Sequence, residues 1–267
     1  YSRLTSQLTY AAKGDITNLI AVNDIAEEVC RIYGYDKIES SAMNAETTLG
    51  GRTDKQLFEV NTENALVGMG LSQIHTFSFI SPRYYDKIRL PADSALRRSV
   101  VIQNPLGEDT SVMRTTAIPS MLEVLERNNN FSNENVRLFE DATVYIPAGA
   151  EGDLPAEKKV VTLGMYGGVD FYAMKGVIEN ILTLARIKNA VFTAYSQDPA
   201  YHPGRCAMVS IDGVDLGYIG QIHPLVAKNY EIQISVLAYV IGVYVAFDRI
   251  ALLVIDRLYG KLLNVTV

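Results

Sequence analysis

The chain lacks tryptophan altogether and has only two cysteines and three histidines among its 267 residues. Cys30 and Cys206 stand far apart and in no metal-ligand spacing. That argues against a disulfide scaffold or a zinc site and reads as two reduced, partly buried thiols. There is no GxSxG elbow and no P-loop, so serine-hydrolase and P-loop chemistry have no support. No run of Lys and Arg occurs, and the formal net charge is −6. A chain devoted to coating nucleic acid would carry a basic stripe. Long apolar runs are missing too. The longest, residues 236–247, is too short to span a bilayer and is followed by Asp248 and Arg249, so it reads as a buried strand. No secretory leader is visible, and the chain opens on Tyr1 rather than Met, which leads us to expect a piece of a longer protein.

What is present is ordinary globular material, 48% hydrophobic and 20% charged, enough for one large domain with at most a small appendage. Asn23 is expected to cap a helix starting at Asp24, with Ile25, Val29 and Ile32 on its apolar face and Gly34 as its stop. Polar residues 40–54 read as a linker. Helices are expected over 55–69, stopped by Gly70, over 83–88, from Pro119, and near 225–230. Met174, Val177, Ile178, Ile181, Leu182 and Ala185 form the strongest helical stripe. Strands are expected over 74–80, 99–103, 136–146 and 159–165. Helices and antiparallel strands interleave without a βαβ rhythm, so the fold class is α+β: an antiparallel sheet flanked by helices.

The most informative stretch is YHPGRCAMVSIDGVDLGYIGQIHP, residues 201–224. Ala207, Val209 and Ile211 alternate with Met208 and Ser210, as in a half-buried strand. Asp212 and Gly213 tolerate the positive φ angles of a two-residue hairpin turn. Leu216, Tyr218 and Ile219 run back as the partner strand, and Gly217 and Gly220 suit a bulge or a close backbone approach.

That YHPGR–strand–IGxIHP pattern resembles the beta chain of bacterial phenylalanyl-tRNA synthetases. Other blocks follow the family's order: DIAEEVCRIYGYDKI at 24–38, LSQIHTFSF at 71–79, NPLGEDTSVMRTTAIPSML at 104–122, VRLFEDATVY at 136–145 and FYAMKGVIENIL at 171–182. Together they span about residues 15–231. The resemblance implies a module with the class II aminoacyl-tRNA synthetase fold but without its active site. It also implies a division into the end of a small preceding domain (1–39), a linker (40–54), the synthetase-like module (55–247) and an unassigned tail (248–267).

Chemistry has few candidates. Asp24, Glu27 and Glu28 share one helical face, as Mg²⁺ ligands completed by water would, and equally as a solvated first turn favoured by the helix dipole would. The resembled family carries magnesium ligands here in the pattern Asp-x5-Asp-x2-Glu-Glu. Asp24, Glu27 and Glu28 match its last three positions, while the first falls on Asn18 and Asp15 stands three residues too early, so the set is incomplete or shifted. His202 and His223 could form a dyad or metal pair, but are expected each to order a turn at a strand end, and His75 is expected to be structural. Arg137 and Glu140 echo the second class II motif, without the aromatic residue before the arginine. Asp248 and Arg249 echo the third, without its second glycine. Arg114 and Arg205, typical of the family, are expected to hold loops together by hydrogen bonds.

The resemblance therefore implies a noncatalytic subunit module of phenylalanine–tRNA ligase. It would support the catalytic alpha chain in the ATP-dependent charging of tRNA(Phe), in the cytoplasm, with ATP on the partner rather than on this chain. Helical residues 57–69 and 118–125 are candidate interface surfaces, and the isolated chain is expected to self-associate and to bind no membrane. The alternatives are a self-sufficient class II ATP-dependent ligase using Arg137 and Arg249, and a free-standing nucleic-acid-binding module built on residues 1–38.

Overall fold

The computed structural model describes residues 22–42, 45–47, 49–147, 149, 153–232 and 239–246. The chain divides into two compact units, Tyr1–Gly51 and Arg52–Val267. In the first, helix α1 (Val22–Tyr33) ends at Gly34, whose φ of 105° only glycine adopts readily and whose N–H closes onto the Cys30 carbonyl at 2.8 Å. A 3₁₀ turn, Tyr35–Lys37, follows. The helix begins two residues ahead of Asp24, so Asn23 lies inside it rather than capping it. Neither Val22 nor Asn23 is a helix breaker.

The second unit opens with α2 (Asp54–Gly68), set by a capping box. The Thr53 hydroxyl accepts from the Gln56 N–H, and the Gln56 side chain accepts from the Thr53 N–H. Gly70, at φ 84°, turns the chain out of that helix. The single strand expected over 74–80 is instead two short ones, β1 (Ser72–Gln73) and β2 (Phe79–Ile80). β1 joins the main sheet parallel to β4 (Val136–Ile146), so that edge departs from the all-antiparallel pattern. β2 leaves that sheet to pair with β3 (Val112–Met113). The strand expected over 99–103 is reduced to one bridge, Val101 to Val112.

β4 pairs antiparallel along its whole length with β5 (Ala156–Tyr166), and β5 pairs on its other side with β9 (Tyr239–Ala246). A second antiparallel sheet holds β6 (Ala190–Ala194), β7 (Tyr201–Ile211) and β8 (Val214–Ile222), and β9 also lies beside β8. Asp212 and Gly213 take φ values of 51° and 79°, as the hairpin turn requires. The register slips beside Gly217, and Gly220 lies so close to Cys206 that an added Cβ would meet its Cα at 2.9 Å.

Helices cover the sheets through two apolar clusters. In one, α5 (Phe171–Leu184) lays its whole expected stripe, Met174 through Leu182 with Ala185, against Leu163, Met165, Val209 and Ile219. In the other, α4 (Ile118–Asn130) and the short helices α3 (Tyr84–Lys87) and α6 (Pro224–Asn229) gather around Met121, Leu122, Leu138, Tyr201 and Ile222. α4 sits so close to β5 that a Cβ on Gly164 would lie 2.6 Å from the Met121 sulfur. Residues 118–125 are thus not a free interface. Met121, Leu122 and Leu125 are fully buried in this chain's own core, whereas α2 buries Leu66 and leaves Leu57 and Val67 exposed.

Candidate functional site

The most elaborate polar arrangement lies inside the protein. Arg114, just past β3, and Glu140, in the middle of β4, are each only 2% exposed and pair at 3.1 Å. Arg114 Nη1 donates to Thr76 Oγ1 at 2.7 Å, and its Nε donates to the Thr143 carbonyl at 3.0 Å. Thr76 donates to Glu140 from both its backbone N–H and its hydroxyl. The segment between β1 and β2 is thereby pinned to β4 through side chains, in addition to the Ile74 N–H donating to the Phe139 carbonyl at 2.9 Å. As expected, Arg114 holds loops together. Glu140, the carboxylate that echoes a class II motif, is consumed by this network.

Arg137 sits on the opposite face of β4, exposed, beside an open groove of about 470 Å³ lined by Ser72, Asn128, Asn133, Asn135 and Leu138. Glu134 also lines this groove. Arg249 and Asp248 lie outside the described residues. Gly167, at φ 76°, is packed against the Glu134 carbonyl, where a Cβ would lie at 1.8 Å, so its role is close packing rather than phosphate cradling.

The base of the hairpin gathers the remaining chemistry. His202 Nδ1 accepts from the Gly204 N–H and His223 Nδ1 from the Leu225 N–H, both at 3.1 Å, so each histidine orders a turn as expected. The Tyr201–Ile222 pair sits between them in register. Arg205 Nη1 donates to Gln221 Oε1 at 2.7 Å, and Arg89 Nη1 to the Pro199 carbonyl at 3.3 Å. His223 is held below its usual pKa by burial, with Arg89 and His202 adding to the effect. Nearby, burial raises the Asp198 carboxyl and lifts the Cys206 thiol to about 12, so Cys206 is no nucleophile. His75 is exposed between β1 and β2. Arg89 and Asp198 were missed from the sequence. A positive φ of 60° at Arg89 marks it only once the backbone is known.

Residues 38–241 match the family model for the phenylalanyl tRNA synthetase beta chain CLM domain. The chain belongs to this family. It is 43% identical over 210 residues to the phenylalanine–tRNA ligase beta subunit of Clostridium acetobutylicum, covering 79% of this chain and 26% of that protein. It is 42% identical over 217 residues to the Clostridium tetani beta subunit, covering 81% and 27%. The chain therefore spans about a quarter of the length of these curated relatives. A crystal structure of pyrrolysyl-tRNA synthetase from Desulfitobacterium hafniense is similar in fold, with a TM-score of 0.59 at 16% identity, covering 74% of this chain and 68% of that one. The α+β reading and the class II synthetase-like architecture hold.

Three of the magnesium ligands that the resemblance implies lie among the described residues. Asp24 and Glu27 lie exposed in the first turns of α1, and the half-buried Glu28 is tied to Arg31 by a charged hydrogen bond. The described residues contain no group of three His, Cys, Asp or Glu side chains that could hold a metal ion. Position 18, where the pattern's first ligand falls, is an asparagine outside the described residues. Nor, among the described residues, is any helix long and apolar enough to cross a membrane.

Proposed function

We propose that this chain is a noncatalytic module of a phenylalanine–tRNA ligase, working in the cytoplasm beside a catalytic alpha chain that binds ATP and charges tRNA(Phe). The family match over residues 38–241 carries this reading. The site geometry agrees with it. Glu140 is locked to Arg114 in the interior, on the face of β4 opposite Arg137. In this reading residues 1–39 are the end of a small preceding domain, 40–54 a linker, 55–247 the synthetase-like module and 248–267 a tail. Asp24, Glu27 and Glu28 would contribute to a Mg²⁺ site only if Glu28 left Arg31 and a further ligand joined them.

The test is phenylalanine-dependent ATP–pyrophosphate exchange. The chain alone is expected to be inactive, and exchange is expected in its mixture with a catalytic alpha chain beyond what that alpha chain gives alone. Exchange by the chain alone, abolished by Arg249→Ala, would overturn the noncatalytic reading.

A further inference from the structure

The base of the β7–β8 hairpin holds a group of donors that the scaffold role does not use. Because each Nδ1 accepts a backbone N–H, the neutral rings of His202 and His223 carry their proton on Nε2, which is left as a donor. The Tyr201–Ile222 pairing sets the two imidazoles diagonally across adjacent strands, and the His223 N–H bonds to the Ala200 carbonyl at 2.9 Å. Arg89 is anchored on Pro199, the residue before Ala200, so its guanidinium reaches the same strand end. Arg205 adds a second guanidinium beside Gln221. Both arginines are anchored on neutral oxygens, unlike Arg83, Arg97 and Arg114, which face carboxylates. In a chain of net charge −6 this is a local concentration of N–H donors, with the Asp198 carboxyl held beside it on the Ala200 N–H. Arg89, His202 and His223 are fixed by backbone contacts and Arg205 by the Gln221 side chain.

We infer that Arg89, His202, Arg205 and His223 form a phosphate-binding site that takes the sugar–phosphate backbone of an RNA. Planar guanidinium forks match phosphate oxygens bidentately, and neutral imidazole N–H groups add directed hydrogen bonds at low desolvation cost. The site lies where β7 begins and β8 ends, at the start of α6. The choice of RNA as the source of the phosphate rests on the proposed function; the donor geometry does not.

The full chain is titrated with a labelled single-stranded RNA of about twelve nucleotides, with inorganic phosphate as competitor. In the double variant His202→Asn with His223→Asn, the Asn Oδ1 keeps the Nδ1 acceptor role while the outward donor is lost. It is expected to melt like the parent but bind RNA on the order of tenfold more weakly. Arg89→Gln is expected to lower the slope of log K against log salt by roughly 0.7. Unchanged RNA affinity in both variants, or no RNA binding by the parent chain, overturns the inference. Inorganic phosphate displacing RNA at comparable affinity also overturns it, by marking a free-phosphate site. Pyrophosphate exchange with an alpha chain is measured on the same preparations. A chain that supports exchange but fails with RNA loses this inference alone, and one that binds RNA through these residues but fails in exchange loses the scaffold reading alone.

Discussion

Arg114 and Glu140 show what a buried charge demands. The two are each 2% exposed and paired, and Thr76 and Thr143 complete their hydrogen bonds. Removing one partner leaves the other desolvated and alone, so Arg114→Met and Glu140→Leu are each expected to cost about 3–5 kcal/mol. Combining them is expected to recover much of that loss, because two apolar groups strand no charge. Urea denaturation of the three variants measures this. A double variant as unstable as the sum of the singles would show that the network acts through geometry rather than charge pairing.

Asp198 carries the opposite problem. Burial raises its carboxyl above the usual value, and the Ala200 N–H, donating to Oδ1 at 2.9 Å, only partly offsets this. The fold therefore holds the proton in a range where the unfolded chain has already lost it. The group's contribution is fully present below the unfolded carboxylate pKa and is lost as pH rises through the folded one. Asp198→Asn keeps the acceptor and never ionises. It is expected to match the parent's melting temperature near pH 4 and to exceed it increasingly toward pH 7. Parallel melting curves across that range would refute the assignment.

Among the elements, two glycines separate packing from propensity. Gly176 lies within α5 with open space where its Cβ would be, so Gly176→Ala is expected to stabilise by about 0.5–1 kcal/mol through helix propensity. A Cβ on Gly164 would meet Met121 and Leu125 at 2.6–3.0 Å, so Gly164→Ala is expected to destabilise by about 1–3 kcal/mol. Denaturant midpoints for the pair decide the matter, and equal signs would mean that α4 can slide away from β5. The same elements show what periodicity can reveal. The α5 stripe and the β7–β8 hairpin were legible because burial on one face repeats locally. β6 was not, since none of its five residues is fully buried, and β1 and β2 were not, since their break follows from Thr76 bonding to Glu140 far along the chain. Residues 118–125 look like an interface in one dimension and are core in three, because an apolar stripe does not say which partner covers it. The histidine turns could be anticipated from the neighbouring prolines, whereas Arg89 arrives beside them only through tertiary packing.

For the whole molecule, the question is what a chain about a quarter the length of its relatives leaves uncovered. Phe79 on β2 and Val101, bridged to β3, belong to one small sheet, and both are exposed, as is nearby Phe77 at 80%. An apolar surface on so small a sheet is costly in water and drives association when its natural cover is missing. The isolated chain is accordingly expected to run as a concentration-dependent oligomer in light scattering coupled to gel filtration. Phe77→Ser with Val101→Ser is expected to shift it toward monomer without lowering its melting temperature, because neither side chain belongs to the buried core. If the same variant also weakens association with the proposed catalytic alpha chain, that patch is the surface such a partner covers. If self-association falls while alpha-chain binding is intact, the subunit contact lies elsewhere, and the exposed Leu57 and Val67 on α2 become the next positions to substitute.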